Sequence, residues 1–218
     1  MAVLAATSSA AGQILRAVTR LVALRPATKP LHPEGAVVSG TLTRHGSRPP
    51  SGVAWLDGTG TDEVLVRLSR AVGFPDVLPD VFGLALRIPV TEDTHGDTHG
   101  DLLLASTGRG RWTRFLLTPR RSPYRPFGTL LPYRTSAGAV VLTAQYRDRT
   151  TLELAWAVGA GPWRPFAELR LHGPTDGPDE PVSFDPVLNR LPGLETYEWV
   201  RRMREPSYRT ARSVRSGA

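Results

Sequence analysis

The stretch GAVVLTAQY-RDRT-TLELAWAV, Gly138 to Val158, decides the fold class. Two runs of eight or nine residues, each rich in β-branched and aliphatic side chains, flank four polar residues, Arg147 to Thr150. That pattern predicts an antiparallel hairpin with strands at 138–146 and 151–158. Working outward, the same texture of short apolar runs broken by Gly, Pro, Asp and Thr recurs at 36–44, 63–70, 82–90, 101–107, 112–118 and 166–172. Eight short strands at roughly regular spacing, most without a helix-length segment between them, point to an antiparallel barrel or sandwich rather than a parallel sheet.

The flanks are different. Residues 11–24 place Ile14, Val18, Leu21 and Val22 at helical spacing with Arg16 and Arg20 opposite, and Pro26, Pro30 and Pro33 then end that helix. PTDGPDEP at 174–181 is a loop, and Thr196 to Met203 reads as a short helix capped by Thr196. The expectation is one mainly β, α+β domain: an N-terminal helix and linker over 1–30, a barrel over 31–173 and a tail over 174–218.

Composition narrows the chemistry. The 218 residues are 40% hydrophobic and 22% charged, with a mean hydropathy of -0.19, values that exclude a membrane bundle and a disordered chain. No apolar run reaches bilayer length, and Met1 to Ala11 lack the basic start of a signal peptide, so a cytoplasmic location is expected. The absence of cysteine removes thiolate catalysis, disulfides, cysteine zinc sites and iron–sulfur clusters. A net charge of +7 and a pI of about 10.6 raise the question of a polyanionic partner. All the basic residues except Lys29 are arginine, and the last eighteen residues hold six arginines against the single acid Glu205.

Common catalytic signatures are missing. There is no glycine-rich phosphate loop and no G-x-S-x-G elbow. HGDTHGD at 95–101 offers His95, His99, Asp97 and Asp101, with Asp93 nearby, as metal ligands. The i, i+4 spacing of the histidines converges only on a helix, which Gly96 and Gly100 oppose, so a solvated turn is expected there.

A series of short segments in order resembles the haem catalase superfamily. His32, Gly35 and Gly40 match its H-x-x-G-x-x-x-x-G segment, and Arg67 and Ser69 in VRLS match V-R-F-S. Asp80 to Arg87 resemble D-P-R-G-F-A-x-K, and Asp101 to Leu103 resemble D-L-V. Phe184 to Pro186 and Pro192 to Glu195 resemble F-D-P and P-G-I-E, and Arg204 with Tyr208 match R-x-x-x-Y. The resemblance covers residues 31 to 212. It implies a catalase-like eight-stranded barrel with a C-terminal proximal helix or tail, and a haem b cofactor whose ferric iron is held by tyrosinate from Tyr208. It further implies His32 as the distal acid–base, Ser69 as the group orienting it, and Arg67 with Arg212 as partners of the propionates. Arg204 would hold Tyr208 ionised, and Phe115 is the aromatic expected at the haem edge. Chemistry agrees with these types. Tyrosinate is a hard anionic donor suited to ferric iron, and a neutral imidazole can take a proton from a hydroperoxide and return it to the leaving oxygen.

Departures matter as well. The chain is less than half the length of typical catalases, Ala105 and Ser106 stand where the family has its distal asparagine, and Arg209 replaces the proline after the tyrosine. The function expected is therefore a haem-dependent peroxidase or peroxygenase acting on hydrogen peroxide or organic hydroperoxides and a small organic substrate, rather than an efficient catalase. The alternative is a non-catalytic barrel that binds haem or an apolar ligand. Neither nucleic acid nor membrane is expected as a partner, and the reading admits a homodimer.

Overall fold

A computed structural model describes residues 34–71, 73, 77–90, 98–173, 182–200 and 202. The chain is mainly β. Its strands are β1 (Glu34–His45), β2 (Thr59–Arg70), β3 (Phe82–Pro89), β4 (His99–Ser106), β5 (Phe127–Gly128), β6 (Tyr133–Thr135), β7 (Gly138–Tyr146), β8 (Thr151–Val158), β9 (Arg164–His172) and β10 (Glu195–Thr196). All pairings between them are antiparallel. The order runs β7, β5, β4, β3, β2, β1, β9, β8, and β8 returns to β7, which closes an eight-stranded barrel. Closure leaves these staves no free edge. The short β6 extends the β5 stave along β7, and β10 adds to β6.

Alternation fixes what faces inward. Val38, Leu42, Val64, Val66, Leu68, Leu84, Leu86, Leu102, Leu104, Leu142, Leu154, Trp156 and Leu169 form one buried cluster, while their odd-numbered neighbours on β1 to β4 face out. An eight-stranded barrel is just wide enough for side chains to fill it, and Trp156, Phe127 and Phe166 are fully buried. Trp156 donates from Nε1 to Ser47 Oγ at 2.7 Å, which satisfies its polar edge within the apolar interior. Phe166 sits at a break in the β8–β9 register and packs edge-to-face on Trp55 at 5.5 Å.

One end of the barrel is closed by the β1–β2 loop and by Leu191 and Leu194. The loop contains a single-turn helix, α1 (Ala54–Asp57), and inserts Val53, Trp55 and Leu56 into the core. Its shape is set by Asp57, which accepts from Ser51 N, Ser51 Oγ and Gly52 N at 2.7–2.8 Å. Burial raises the Asp57 pKa, but these three donors outweigh it and hold the carboxyl below its ordinary value. Leu191 and Leu194 join the same core, so part of the expected tail belongs to the barrel.

Seven of the eight expected strands are present. The exception is 112–118, which is a 3-10 turn at Thr113–Phe115 bridged to the barrel by Thr107 and Leu117. The eighth stave is instead β5 with its extension β6. Thr196 lies in β10 and does not cap a helix, although Glu198 to Val200 and Arg202 are helical. The expected helix at 11–24 and the chain beyond Arg202 lie outside the described residues. Among the described residues no helix is long and apolar enough to cross a membrane.

Candidate functional site

Because the barrel interior is packed, the candidate residues of β2 stand on its outer wall. Arg67 and Ser69 alternate with Val66 and Leu68, which point into the core, yet Arg67 is only 9% exposed and Ser69 only 8%. Neither is without a partner. Register brings the first two matched segments together here. Gly35 is the Cα partner of Ser69, and Val37 is that of Arg67. A methyl group added to Gly35 would lie 2.9 Å from Arg67 Nη2 and 2.6 Å from the Leu68 carbonyl, so glycine is needed for the guanidinium to lie against β1.

The same row continues across the wall. Ser69 faces Gly83, Gly83 faces Ala105, and Ala105 faces Gly128. Five neighbouring strands thus present only glycine, alanine or serine along one line, a floor about 19 Å wide at the usual strand spacing. Gly128 is covered by its own neighbourhood, since a methyl there would meet Thr107 Oγ1 at 2.6 Å.

Four residues further along β3, about 13 Å away, three other matched segments converge on Asp101. Arg87 and Asp101 are Cα partners on β3 and β4. Arg87 donates from Nε to Oδ1 at 2.9 Å and from Nη2 to Oδ2 at 3.0 Å. Asp101 Oδ2 also accepts from the Asp185 backbone N–H at 2.7 Å and from Asn189 Nδ2 at 2.8 Å. Arg87 bonds the Ser183 carbonyl as well, and its guanidinium lies 5.1 Å from the Phe184 ring centre. Asp185 in turn accepts from the N–H groups of Val187 and Leu188. A charge-assisted knot therefore straps residues 183–189 to the outside of β3 and β4. Sequence reasoning marked Arg87, Asp101 and Asp185 only as parts of motifs. Their joint role has no local signal, because Asp185 and Asn189 lie 84 and 88 residues from Asp101.

Asp80, the first residue of the third matched segment, is also buried and structural. It accepts from Gly73 N and Val81 N at 2.7 Å and exchanges backbone hydrogen bonds with Arg120. Phe115 ends the 3-10 turn Thr113–Phe115 of the β4–β5 connection. Its neighbour Arg114 donates to the carbonyls of Gly159 and Gly161 at the β8–β9 turn. Between β2 and β8 stand β1 and β9 in one direction and β3, β4, β5 and β7 in the other. His32, Arg204, Tyr208 and Arg212 lie outside the described residues. Of the 95–101 repeat, only Thr98 to Asp101 are described; His99 and Gly100 are strand, not turn, and Asp101 is committed to Arg87. No group of three or more His, Asp and Glu side chains that can hold a metal ion occurs among the described residues.

As a fit for haem, the wall offers a buried guanidinium of the right charge for a carboxylate beside a floor without bulky side chains. A scan against models of known protein families and a search of curated proteins find no match to this chain.

Proposed function

We propose that this chain is a haem-binding barrel protein that uses hydrogen peroxide or organic hydroperoxides to oxidise a small organic substrate. The observation that carries the reading is the register setting Gly35, three residues after His32, opposite Ser69 and against Arg67. Two segments matched separately in the sequence are thereby neighbours on one outer wall, and residues 183–189 are strapped to the same side of the barrel.

Haem, when bound, would supply the two electrons that reductive cleavage of the O–O bond requires and would recover them from the organic substrate. Tyr208 would hold that iron through its phenolate oxygen, and the Arg204 guanidinium would favour the ionised phenol. Arg67 and Arg212 would pair with the two propionates, for which the planar guanidinium fork is suited. His32 would take the hydroperoxide proton on a ring nitrogen and return it to the departing oxygen, with Ser69 Oγ holding the other nitrogen and so the tautomer. Phe115 would be the aromatic at the haem edge. With Ala105 and Ser106 where an amide would position a small peroxide, a bulkier hydroperoxide is the better-matched substrate.

The test is the absorption spectrum of the full chain supplied with hemin. A ferric tyrosinate spectrum that Tyr208→Phe abolishes supports the reading, and an unchanged spectrum in that variant removes it. Peroxide-dependent oxidation of a dye that falls in His32→Ala supports catalysis. Equal rates with and without the histidine would mark a haem-binding barrel without a catalytic role.

A further inference from the structure

A second feature is the connection from β4 to β5. It reaches Gln145 of β7, Glu153 of β8 and the β8–β9 turn through Arg109 and Arg114, and returns beside β4 and Asp80 through Leu117 to Arg120; residues 108–126 contain six arginines and no acidic residue. Three of those arginines build the excursion. Arg109 pairs with Glu153 at 3.3 Å and bonds Gln145, while its carbonyl accepts from Trp163 Nε1 at 2.8 Å. Arg114 is buried, bonds the Gly159 and Gly161 carbonyls and stacks 4.1 Å from the Trp163 ring centre. Arg120 donates to the Pro126 and Thr107 carbonyls. The cover explains why Val141, Thr143, Ala155 and Ala157 are buried although they face away from the core.

The other three arginines, Arg111, Arg121 and Arg125, are exposed. Between them the excursion exposes large apolar side chains: Trp112 at 76%, Leu116 at 56%, Tyr124 at 46% and Leu117 at 39%. Like charges crowd here. After burial, Arg111 and Arg109 are what lower the Arg114 pKa, and Arg125 does the same for Arg120. An anionic counter-surface would relieve that repulsion.

We propose that this excursion docks on an anionic lipid bilayer, with Trp112, Leu116 and Leu117 in the interfacial layer and Arg111, Arg121 and Arg125 against the lipid phosphates. Tryptophan and arginine are the residues that settle at that depth, and a few apolar side chains plus a small basic cluster are the two weak signals that peripheral attachment combines. A nucleic-acid strand would use the charge and the tryptophan, but adjacent exposed leucines present no stacking face to a base. The expectation of no membrane partner rested on the lack of a spanning segment, which peripheral docking does not need. Bracing by Arg109, Arg114 and Arg120 holds the excursion in place before contact, so little ordering accompanies binding.

The experiment is sedimentation of the full chain with vesicles of phosphatidylcholine alone and of phosphatidylcholine mixed with phosphatidylglycerol, at low and high salt. The parent should sediment with the mixed vesicles only, and salt should release it. The triple variant R111S/R121S/R125S should lose about a hundredfold in partitioning, roughly fivefold per arginine. R48S/R149S/R170S, which removes the same charge elsewhere on the surface, should lose far less. L116S/L117S leaves the charge unchanged and should also weaken vesicle binding. Failure of the parent to sediment, equal loss in the two arginine triples, or vesicle binding unaffected by L116S/L117S would each overturn the proposal. So would tighter binding to a single-stranded oligonucleotide than to the mixed vesicles.

Discussion

Replacing Asp101 by alanine tests how residues 183–189 are held to the barrel. The carboxylate has no side-chain exposure and accepts four hydrogen bonds: two from Arg87, one from Asp185 N and one from Asn189 Nδ2. The Asp185 N–H is buried against it and the Asn189 amide is half-buried; a buried donor that loses its acceptor costs about 1–3 kcal/mol. Arg87 is 27% exposed, so water recovers much of what the guanidinium loses. The total expected is about 3–5 kcal/mol, the range for removing one partner of a buried pair. For a chain of this size that corresponds to a fall in melting temperature of roughly 6–20 °C. Arg87→Ala leaves the unexposed carboxylate with only its two strap donors, so it should cost a comparable amount. Urea unfolding of the two single variants and of the double variant gives the comparison, and protease cleavage within 183–189 should accelerate in Asp101→Ala. A loss below about 1 kcal/mol in Asp101→Ala, or cleavage within 183–189 no faster than in the parent, would refute the account of Asp101 as the strap's anchor.

Three further outcomes follow from single side chains. Burial, with Tyr124 adding to it, pushes the Tyr146 phenol well above its ordinary value. The fold therefore keeps a proton that the unfolded chain releases near pH 10, and stability declines as pH rises past about 10. Urea midpoints of Tyr146→Phe should show a shallower alkaline decline than the parent. Asp57 has the opposite sign: its lowered pKa stabilises the fold above the ordinary carboxylate value, and that contribution is lost on acidification. Asp57→Asn should flatten the acid limb of the stability profile below about pH 4. Gly35→Ala forces a methyl to within 2.6 Å of the Leu68 carbonyl, a backbone atom that cannot rotate aside. It should cost about 1–3 kcal/mol by chemical denaturation, and a neutral result would mean that β1 is free to shift off Arg67.

The hairpin at 138–158 was legible because both strands carry their own apolar residues and the turn between them is wholly polar. The segment 112–118 misled because Trp112, Phe115, Leu116 and Leu117 are good strand formers. What overrides that propensity is Arg114, whose acceptors at Gly159 and Gly161 lie 45 and 47 residues away. The true eighth stave was hidden for the converse reason. β5 has two residues and β6 three, Leu130 between them takes a φ of 61°, and Pro126 and Pro132 flank the break. So short a run presents no period to read. Arg67 and Ser69 were legible as the polar phase of a strand, but their burial depends on what covers the outer wall, and that is a tertiary fact.

Closure of the barrel separates two kinds of surface that composition alone blends into one excess of arginine. On the β1–β4 side, arginines face carboxylates or stand beside small residues, the arrangement expected where a compact anion is held. Along the β4–β5 connection, Arg109 is held by Glu153 and Gln145, Arg114 and Arg120 are held by backbone carbonyls, and three arginines are left outward beside tryptophan and leucine, the arrangement expected for an extended anionic surface. Since the braces of the connection are Arg109, Arg114 and Arg120 while Arg111, Arg121 and Arg125 are exposed, changing the outward three should leave the β1–β4 wall intact. R111S/R121S/R125S should therefore keep the hemin spectrum of the parent, and Tyr208→Phe should keep its vesicle binding. Loss of both properties in either variant would mean that the two faces are not independent.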